Sequence, residues 1–305
     1  MANVHYAQIG DVWKHLPLAE VLGIEVPRRY LESHAGSASY PLTPSAERSY
    51  GVLHFVSEAE RSPVLDASVY RRLLKRYGHD EVPKTYPGSP LIAMTLLASD
   101  DGYARRVEFV FCDLDGASLF TISEEARELG LPEDRLRLVE GDGIAAIGRE
   151  LGNLSREEAA ATFLHADPYQ PLEAGDDGAT SLDLLGRAAA LSTRCMLWYG
   201  FDSRRDRDEM LGAVRSSCEA AMREESGDHR QLWFGEVSLK ADDLSEVGEV
   251  GFDPGVLGCG VVLCNVGEEA LAACERLGEG LASIYEGVRL PLGADGSLTF
   301  EGDLF

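Results

Sequence analysis

In RRVEFVFCDLDGASLFTISEEARELG, residues 105–130, an apolar run ends in two acids and gives way to a segment with helical spacing of its apolar residues. This describes a strand that delivers carboxylates to a loop and is followed by a helix. The pattern repeats downstream. LRLVEGDG (136–143) reads as a strand, a turn and the start of a helix, IAAIGRELG. AATFLHADPYQ reads as a strand ending in a proline-containing loop. Residues 183–192 form a helix, RCMLWYGF (194–201) a strand, and DRDEMLGAVRSSCEAAMRE a long helix. Upstream, DVWKHLPLAEVLG (11–23) reads as a helix closed by Gly23 in spite of Pro17. RYLES (29–33) is a short strand, and YPGSPLIAMTLLA (86–98) is a turn opening a helix, with Pro90 in its first turn. Strands alternating with helices predict a mostly parallel sheet, which QLWFGEVSL and GCGVVLCNV close as an antiparallel edge. Residues 44–86 are polar and helical in character and predict a small inserted subdomain. The final stretch, from about residue 290, carries LGADGS and predicts a surface tail.

The chain has 305 residues, of which 45% are hydrophobic, enough for a sizeable core. No apolar run approaches the length of a membrane span. MANVHYAQIGDVWKHL has no basic stretch leading into an apolar one, so no signal peptide is expected and the expected compartment is the cytoplasm. The six cysteines form no CxxC pair and lie mostly in apolar runs, which predicts buried thiols and no metal. Acidic residues outnumber basic ones 52 to 28, for a net charge of −24. This balance argues against a nucleic-acid surface, where phosphate neutralisation supplies most of the affinity. Strong acidity is also a halophile's solvation strategy, which weakens that argument. RRLLKR (71–76) is a candidate basic strip, read as a solvated helix face.

Ligands of doubly wound sheets bind outside the carboxyl ends of the strands. Four consecutive strand ends carry polar groups: Glu32-Ser33-His34-Ala35-Gly36, Asp113-Leu114-Asp115, Gly141-Asp142-Gly143 and Ala166-Asp167-Pro168-Tyr169. A carboxylate at one such end can take both ribose hydroxyls, and one at the next can accept from an adenine amine. A lone acid after a strand is more often a helix cap. HAGSASY lacks the dinucleotide glycine fingerprint and the lysine of a phosphate-binding loop, so a methyltransferase outranks a nicotinamide enzyme or a nucleoside triphosphatase.

The chain resembles the RlmJ-like 23S ribosomal RNA adenine-N6 methyltransferases. DVWKH (11–15), ESHAGSASY (32–40), YPGSPLIA (86–93), FCDLD (111–115), EGDG (140–143), ADPYQ (166–170), LWYGF (197–201) and GCGVVLCN (258–265) occur in that family's order across nearly the whole length. The resemblance implies a Rossmann-like class I methyltransferase fold. Its domain would span 1–43 and 87–290, on a mostly parallel seven-stranded sheet with an antiparallel edge. Residues 44–86 would be the helical insertion and 291–305 a C-terminal tail. It further implies S-adenosyl-L-methionine as cofactor, with contacts from His15, His34, Gly36, Ser89, Asp113, Asp142, Gly143 and Ala166. Asp113 would meet the ribose, and Asp142-Gly143 the adenine. Lys14 would stand near the methyl acceptor, and Tyr169 would line its pocket.

Three departures bear on the acceptor. Ala38 stands where the family has a second glycine. The family's N-terminal aromatic arm is shortened, and Tyr6 is not its positional match. The family's Asp-Pro-Pro-Tyr reads Ala166-Asp167-Pro168-Tyr169. An aromatic amine is a weak nucleophile, and a carboxylate accepting its N–H bonds localises the lone pair as it attacks. In strict register Ala166 replaces that acid; with a slip of one residue Asp167 takes the role. The expected catalytic set is Asp167, Tyr169 and Lys14, with His165 a further acid–base candidate. Three readings of the acceptor stay open. They are a small polar metabolite, which fits the charge and the altered loop best, an RNA adenine, and no acceptor at all in a cofactor-binding protein. Oligomeric state is not legible.

Overall fold

The computed structural model describes residues 5–78, 84–98, 107–223, 232–248, 256–290 and 295–304. Its strands are β1 (Arg29–Glu32), β2 (Ser39–Pro41), β3 (Thr85–Pro87), β4 (Glu108–Asp113), β5 (Leu136–Glu140), β6 (Thr162–Ala166), β7 (Arg194–Phe201), β8 (Leu232–Leu239), β9 (Gly258–Cys264) and β10 (Leu298–Leu304). The helices before β4 are α1 (Ile9–Ile24), α2 (Ala46–Tyr50), α3 (Val52–Glu58), α4 (Pro63–Asp66), α5 (Val69–Tyr77) and α6 (Ser89–Leu97). Those after it are α7 (Gly116–Glu128), α8 (Gly143–Asn153), α9 (Arg156–Ala160), α10 (Ser181–Ala190), α11 (Arg204–Arg223), α12 (Ser245–Gly248) and α13 (Glu268–Ile284).

Eight strands form one sheet in the order β10-β8-β9-β7-β6-β1-β4-β5, and β2 pairs with β3 separately. β5, β4, β1, β6 and β7 run parallel. β9 lies antiparallel to both β7 and β8. This is the Rossmann-like class I methyltransferase arrangement, with β10 added at one edge. From β1 the chain moves to β4 and β5 on one side, then returns to β6 and β7 on the other. The crevice over the carboxyl end of β1 is therefore the topological switch point, where open α/β sheets bind ligands.

Local chemistry explains the elements that frame this crevice. β4, β6 and β9 are almost wholly buried apolar runs, as a sheet covered on both faces requires. α7, α8 and α10 begin at Asp115, Asp142 and Thr180, whose side chains accept from backbone amides of the first turn. α6 begins with Ser89 and Pro90, where a missing amide proton has no consequence.

Two expectations require correction. The sheet has eight strands, not seven, and the eighth comes from residues expected to form a tail. β10 pairs with β8 over seven register positions, from Leu298 opposite Leu239 to Leu304 opposite Trp233. Its edge position leaves most of its side chains half-buried or exposed, so it lacks the apolar run that marks an interior strand. Residues 44–86 do carry the short helices α2 to α5, and these pack onto α1 and α13. The Tyr285 hydroxyl, just past α13, donates to the Gly51 carbonyl (3.2 Å). Among the described residues no helix is long and apolar enough to cross a membrane.

Candidate functional site

α1 brings Lys14 to the carboxyl end of β6. Lys14 is 8% exposed, and its Nζ lies 2.6 Å from Asp167 Oδ2 and 3.0 Å from Asp11 Oδ1. Burial works against its charge, but Asp167 and Asp11 more than offset that, and its pKa is raised. Lys14 is therefore a fixed cation, not a base. It holds one oxygen of Asp167; the other, Oδ1, makes no hydrogen bond among the described residues. Asp167 follows the last residue of β6, and Ala166, buried in that strand, offers no side-chain acceptor.

The loop after β1 carries Ser33, His34 and Gly36. Gly36 adopts φ 63°, a left-handed conformation that glycine takes without strain. The turn aims its amide at Asp113 Oδ2 (2.7 Å), while Asp113 Oδ1 accepts from the Asp115 amide (2.8 Å). Ala38 is fully buried in this loop and donates its amide to Thr121, so its methyl group is accommodated. His34 is half-buried, with Nδ1 2.9 Å from Ser33 Oγ. Burial lowers its pKa, opposed by the fields of Asp167, Asp113 and Asp142. The fields of all three carboxylates reach this imidazole although they come from three different strand ends.

Asp142 caps α8. Its Oδ1 accepts from Ile144 (2.8 Å) and Ala145 (3.2 Å), and its Oδ2 from Asp176 (2.6 Å) in the loop between β6 and α10. Burial disfavours its charge, but these amides outweigh it and its pKa is lowered. Gly143 is required by packing: a Cβ there would lie 1.8 Å from the Ser33 carbonyl oxygen. Helix α8 thereby approaches the β1 loop closely.

Three sequence candidates sit differently from expectation. His15 does not face the crevice. It is 2% exposed, its Nδ1 is 2.7 Å from the Tyr86 hydroxyl, and its ring packs against those of Tyr70 and Tyr86. Successive helical residues point about 100° apart, so the neighbour of a crevice lysine turns into the core. Ser89 is also turned inward, donating to Glu32 Oε1 (2.5 Å). Tyr169 lines no enclosed pocket: it is 89% exposed on the loop after β6.

Sequence reasoning missed Asp11, and it placed Glu32 at a strand end without assigning it partners. Asp11 is three residues before Lys14 on a helix, a spacing that pairs side chains and was legible. Glu32, fully buried at the end of β1, accepts from Ser89, from the Tyr30 hydroxyl (3.0 Å) and from His165 Nδ1 (2.9 Å). Its position at a strand end was legible, but these partners, which come from across the fold, were not.

The crevice is acidic. In the run 71–76, Arg71 faces Glu60 (3.7 Å) and Lys75 binds Asp66 (3.1 Å), while Arg72 and Arg76 make no ion pair with a carboxylate among the described residues. Cavities among the described residues include one of about 450 Å³ between α8 and α10, one of about 520 Å³ at the amino ends of β1, β4 and β6, and one of about 400 Å³ between α13 and the edge formed by β8 and β10. All six cysteines are buried and unbridged, and no cluster of three or more His, Cys, Asp or Glu among the described residues is placed to hold a metal.

No family model matches this chain, and no curated protein does. Among solved structures it is similar to protein LPL1258 of Legionella pneumophila, of family model DUF519, with a TM-score of 0.68 and 18% identity over 98% of each chain. It also resembles a SAM-dependent methyltransferase from Agrobacterium tumefaciens (TM-score 0.36, 15% identity, 83% of this chain and 60% of that one). Human methyltransferase-like protein 13, solved with SAH, gives a TM-score of 0.37 and 12% identity over 89% of this chain and 92% of that one. The last two likenesses are too distant to carry an argument. The first, at 18% identity, shows the fold alone.

Proposed function

We propose that this chain is an S-adenosylmethionine-dependent methyltransferase, a diverged relative of the RlmJ-like enzymes, acting on a small polar acceptor. The observation that carries the reading is that Asp113, Asp142, Asp167 and His34 stand at or just past the carboxyl ends of four adjacent strands, β4, β5, β6 and β1, around the switch point of the sheet.

The donor set fits such a nucleoside by count. An ionised carboxylate offers about four acceptor positions. Asp113 has two filled by amides, which leaves two for a ribose diol. Asp142 has three filled, which leaves one for an adenine N–H. When bound, the sulfonium supplies an activated methyl group. The chain supplies alignment and a place for the proton. Lys14 stays charged and fixes Asp167, whose free Oδ1 accepts an N–H or O–H proton from the acceptor as its lone pair attacks. The exposed ring of Tyr169, two residues on, offers a stacking surface for a planar acceptor.

The acidic mouth favours a neutral or cationic acceptor over a phosphodiester chain, since the one lysine at the site is already shared by two carboxylates. Methyl transfer from labelled S-adenosylmethionine, offered both the small-molecule fraction of a cell extract and ribosomal RNA, tests this. Label is expected in the small-molecule fraction. Label in 23S RNA would overturn the acceptor assignment, and cofactor binding without any transfer would overturn catalysis.

A further inference from the structure

Among the described residues, the buried charged side chains are Lys14, Glu32, Arg48, Arg71 and Glu236. Burying an ion without hydrogen-bonded partners is costly, and all but one of these obey that rule. Lys14 binds Asp167 and Asp11, and Glu32 accepts from Ser89 and Tyr30. Glu236 accepts from the Tyr199 hydroxyl and from Arg207. Arg48 donates from Nη1 to the Thr43 carbonyl (3.0 Å) and hydroxyl (2.9 Å), and its guanidinium lies 4.0 Å from the centre of the Tyr6 ring.

Arg71 is the exception. It is 6% exposed, and among the described residues its guanidinium makes no hydrogen bond. Its Nε is sealed from solvent without a partner. Glu60 Oε1 stands 3.7 Å from Nη2, beyond hydrogen-bond reach, on a side chain that is 73% exposed. An ion pair of that length to a solvated carboxylate offsets little of the burial. The run RRLLKR was read as a solvated helix face, and here it departs from that reading. α5 turns Tyr70, Arg71 and Leu74 inward and leaves Arg72, Lys75 and Arg76 exposed. The Arg71 amide is fixed by the Ser68 hydroxyl (3.1 Å), which caps the helix. The backbone beneath the guanidinium is therefore anchored while the guanidinium itself is unsatisfied.

We propose that Arg71 anchors a phosphate-binding subsite on the inserted helices, where a single phosphate group of a small molecule displaces Glu60 from the guanidinium. An arginine offers a planar fork of N–H donors that matches two oxygens of a phosphate, and here the whole fork is uncommitted. Lys75, one helical turn on and half exposed, adds a second cation from its pairing with Asp66. The neighbouring charges favour one phosphate group over a running phosphodiester chain. Glu58 holds Arg61 (2.9 Å), and Glu60 and Asp66 stand by Arg71 and Lys75, so successive phosphates would meet carboxylates. The subsite stands on the burial and the empty donors of Arg71, and it does not depend on the methyltransferase reading of the crevice.

Calorimetric titration of inorganic phosphate into the full-length chain, in chloride buffer at constant ionic strength, tests the subsite. One site per chain is expected. Arg71→Met keeps a buried stem and deletes the charge. It is expected to abolish binding while leaving the unfolding midpoint in chloride unchanged or raised, since an unpartnered buried charge is gone. Phosphate at ten times its Kd should raise the wild-type midpoint by about 2–4 °C and leave that of Arg71→Met where chloride sets it. Glu60→Gln, at an exposed position, should tighten phosphate binding about three- to tenfold by removing the competing carboxylate. This arm decides the matter even if Arg71→Met fails to fold. No binding to the wild type, undiminished binding in Arg71→Met, or unchanged affinity in Glu60→Gln overturns the subsite. Ribose 5-phosphate should compete with inorganic phosphate at similar concentration. A short oligoribonucleotide that binds more tightly than either, and loses that affinity in Arg71→Met, would overturn the small-molecule assignment.

Discussion

The two halves of the crevice are built differently. On the β1, β4 and β5 side, the carboxylates of Asp113 and Asp142 are held by backbone amides of their own loops and neighbours. On the β6 side, Asp167 is held by one side chain, Lys14, from 153 residues away. A site fixed by backbone survives sequence drift nearby because every residue except proline has the amide. A site fixed by one long-range ion pair can be retuned by a few substitutions. On the proposed reading, the difference teaches that the β6 side, where Ala166-Asp167-Pro168-Tyr169 stands, is the half that a few substitutions can retune.

The contrast can be broken at several points. The largest effect is expected from Asp167→Ala, which should lower methyl transfer by about 10²–10⁴-fold, the range for a positioned proton acceptor, with cofactor affinity changed only a few-fold. Equal losses in both would erase the distinction between the halves. Next, Gly143→Ala places a methyl group against the Ser33 carbonyl and should cost about 1–3 kcal/mol in denaturant unfolding, with cofactor binding weakened alongside. Asp142→Ala removes a helix cap and should cost about 1 kcal/mol. The smallest effect belongs to Tyr169→Ala. Its exposure predicts a stability change within about 0.5 kcal/mol, so any rise in acceptor KM would report contact rather than unfolding.

Acid–base behaviour sharpens the same contrast. The folded-state pKa of Lys14 lies above its ordinary 10.5, so its contribution is whole below 10.5 and declines as pH rises through the folded value. The folded-state pKa of Asp142 lies below its ordinary 3.8, so its contribution is present above 3.8 and is lost as pH falls through the folded value. Unfolding free energies of the wild type and of Lys14→Met should therefore differ by a constant amount from about pH 6 to 10 and converge above that. A difference that varies near neutrality would contradict a fixed cation at the acceptor side.

Much of the fold was legible because strands buried on both faces announce themselves as apolar runs, as in Phe109–Cys112 and Val261–Cys264. β10 was not legible, since an edge strand with a mostly solvated face leaves no run to read. The strand-end residues of the site were legible as positions but not as orientations. His15 and Lys14 are neighbours in sequence, yet the helical turn sends one into the core and the other to the crevice. Asp142 was legible both as a cap and as a ligand contact, and its cap role is what the structure displays. The pairing of Lys14 with Asp167 and the burial of Glu32 depend on contacts across the fold, which no local pattern encodes.

The central claim is that Asp113 and Asp142 grip the sugar and base of a sulfonium nucleoside. Calorimetric titration of S-adenosylhomocysteine into the wild type and into Asp113→Ala tests it most directly. The account predicts one site per chain, with affinity weakened about 10–100-fold in the variant, as expected for deleting an acceptor of two hydroxyl bonds. Absence of binding to the wild type, or equal affinity in the variant, would contradict it.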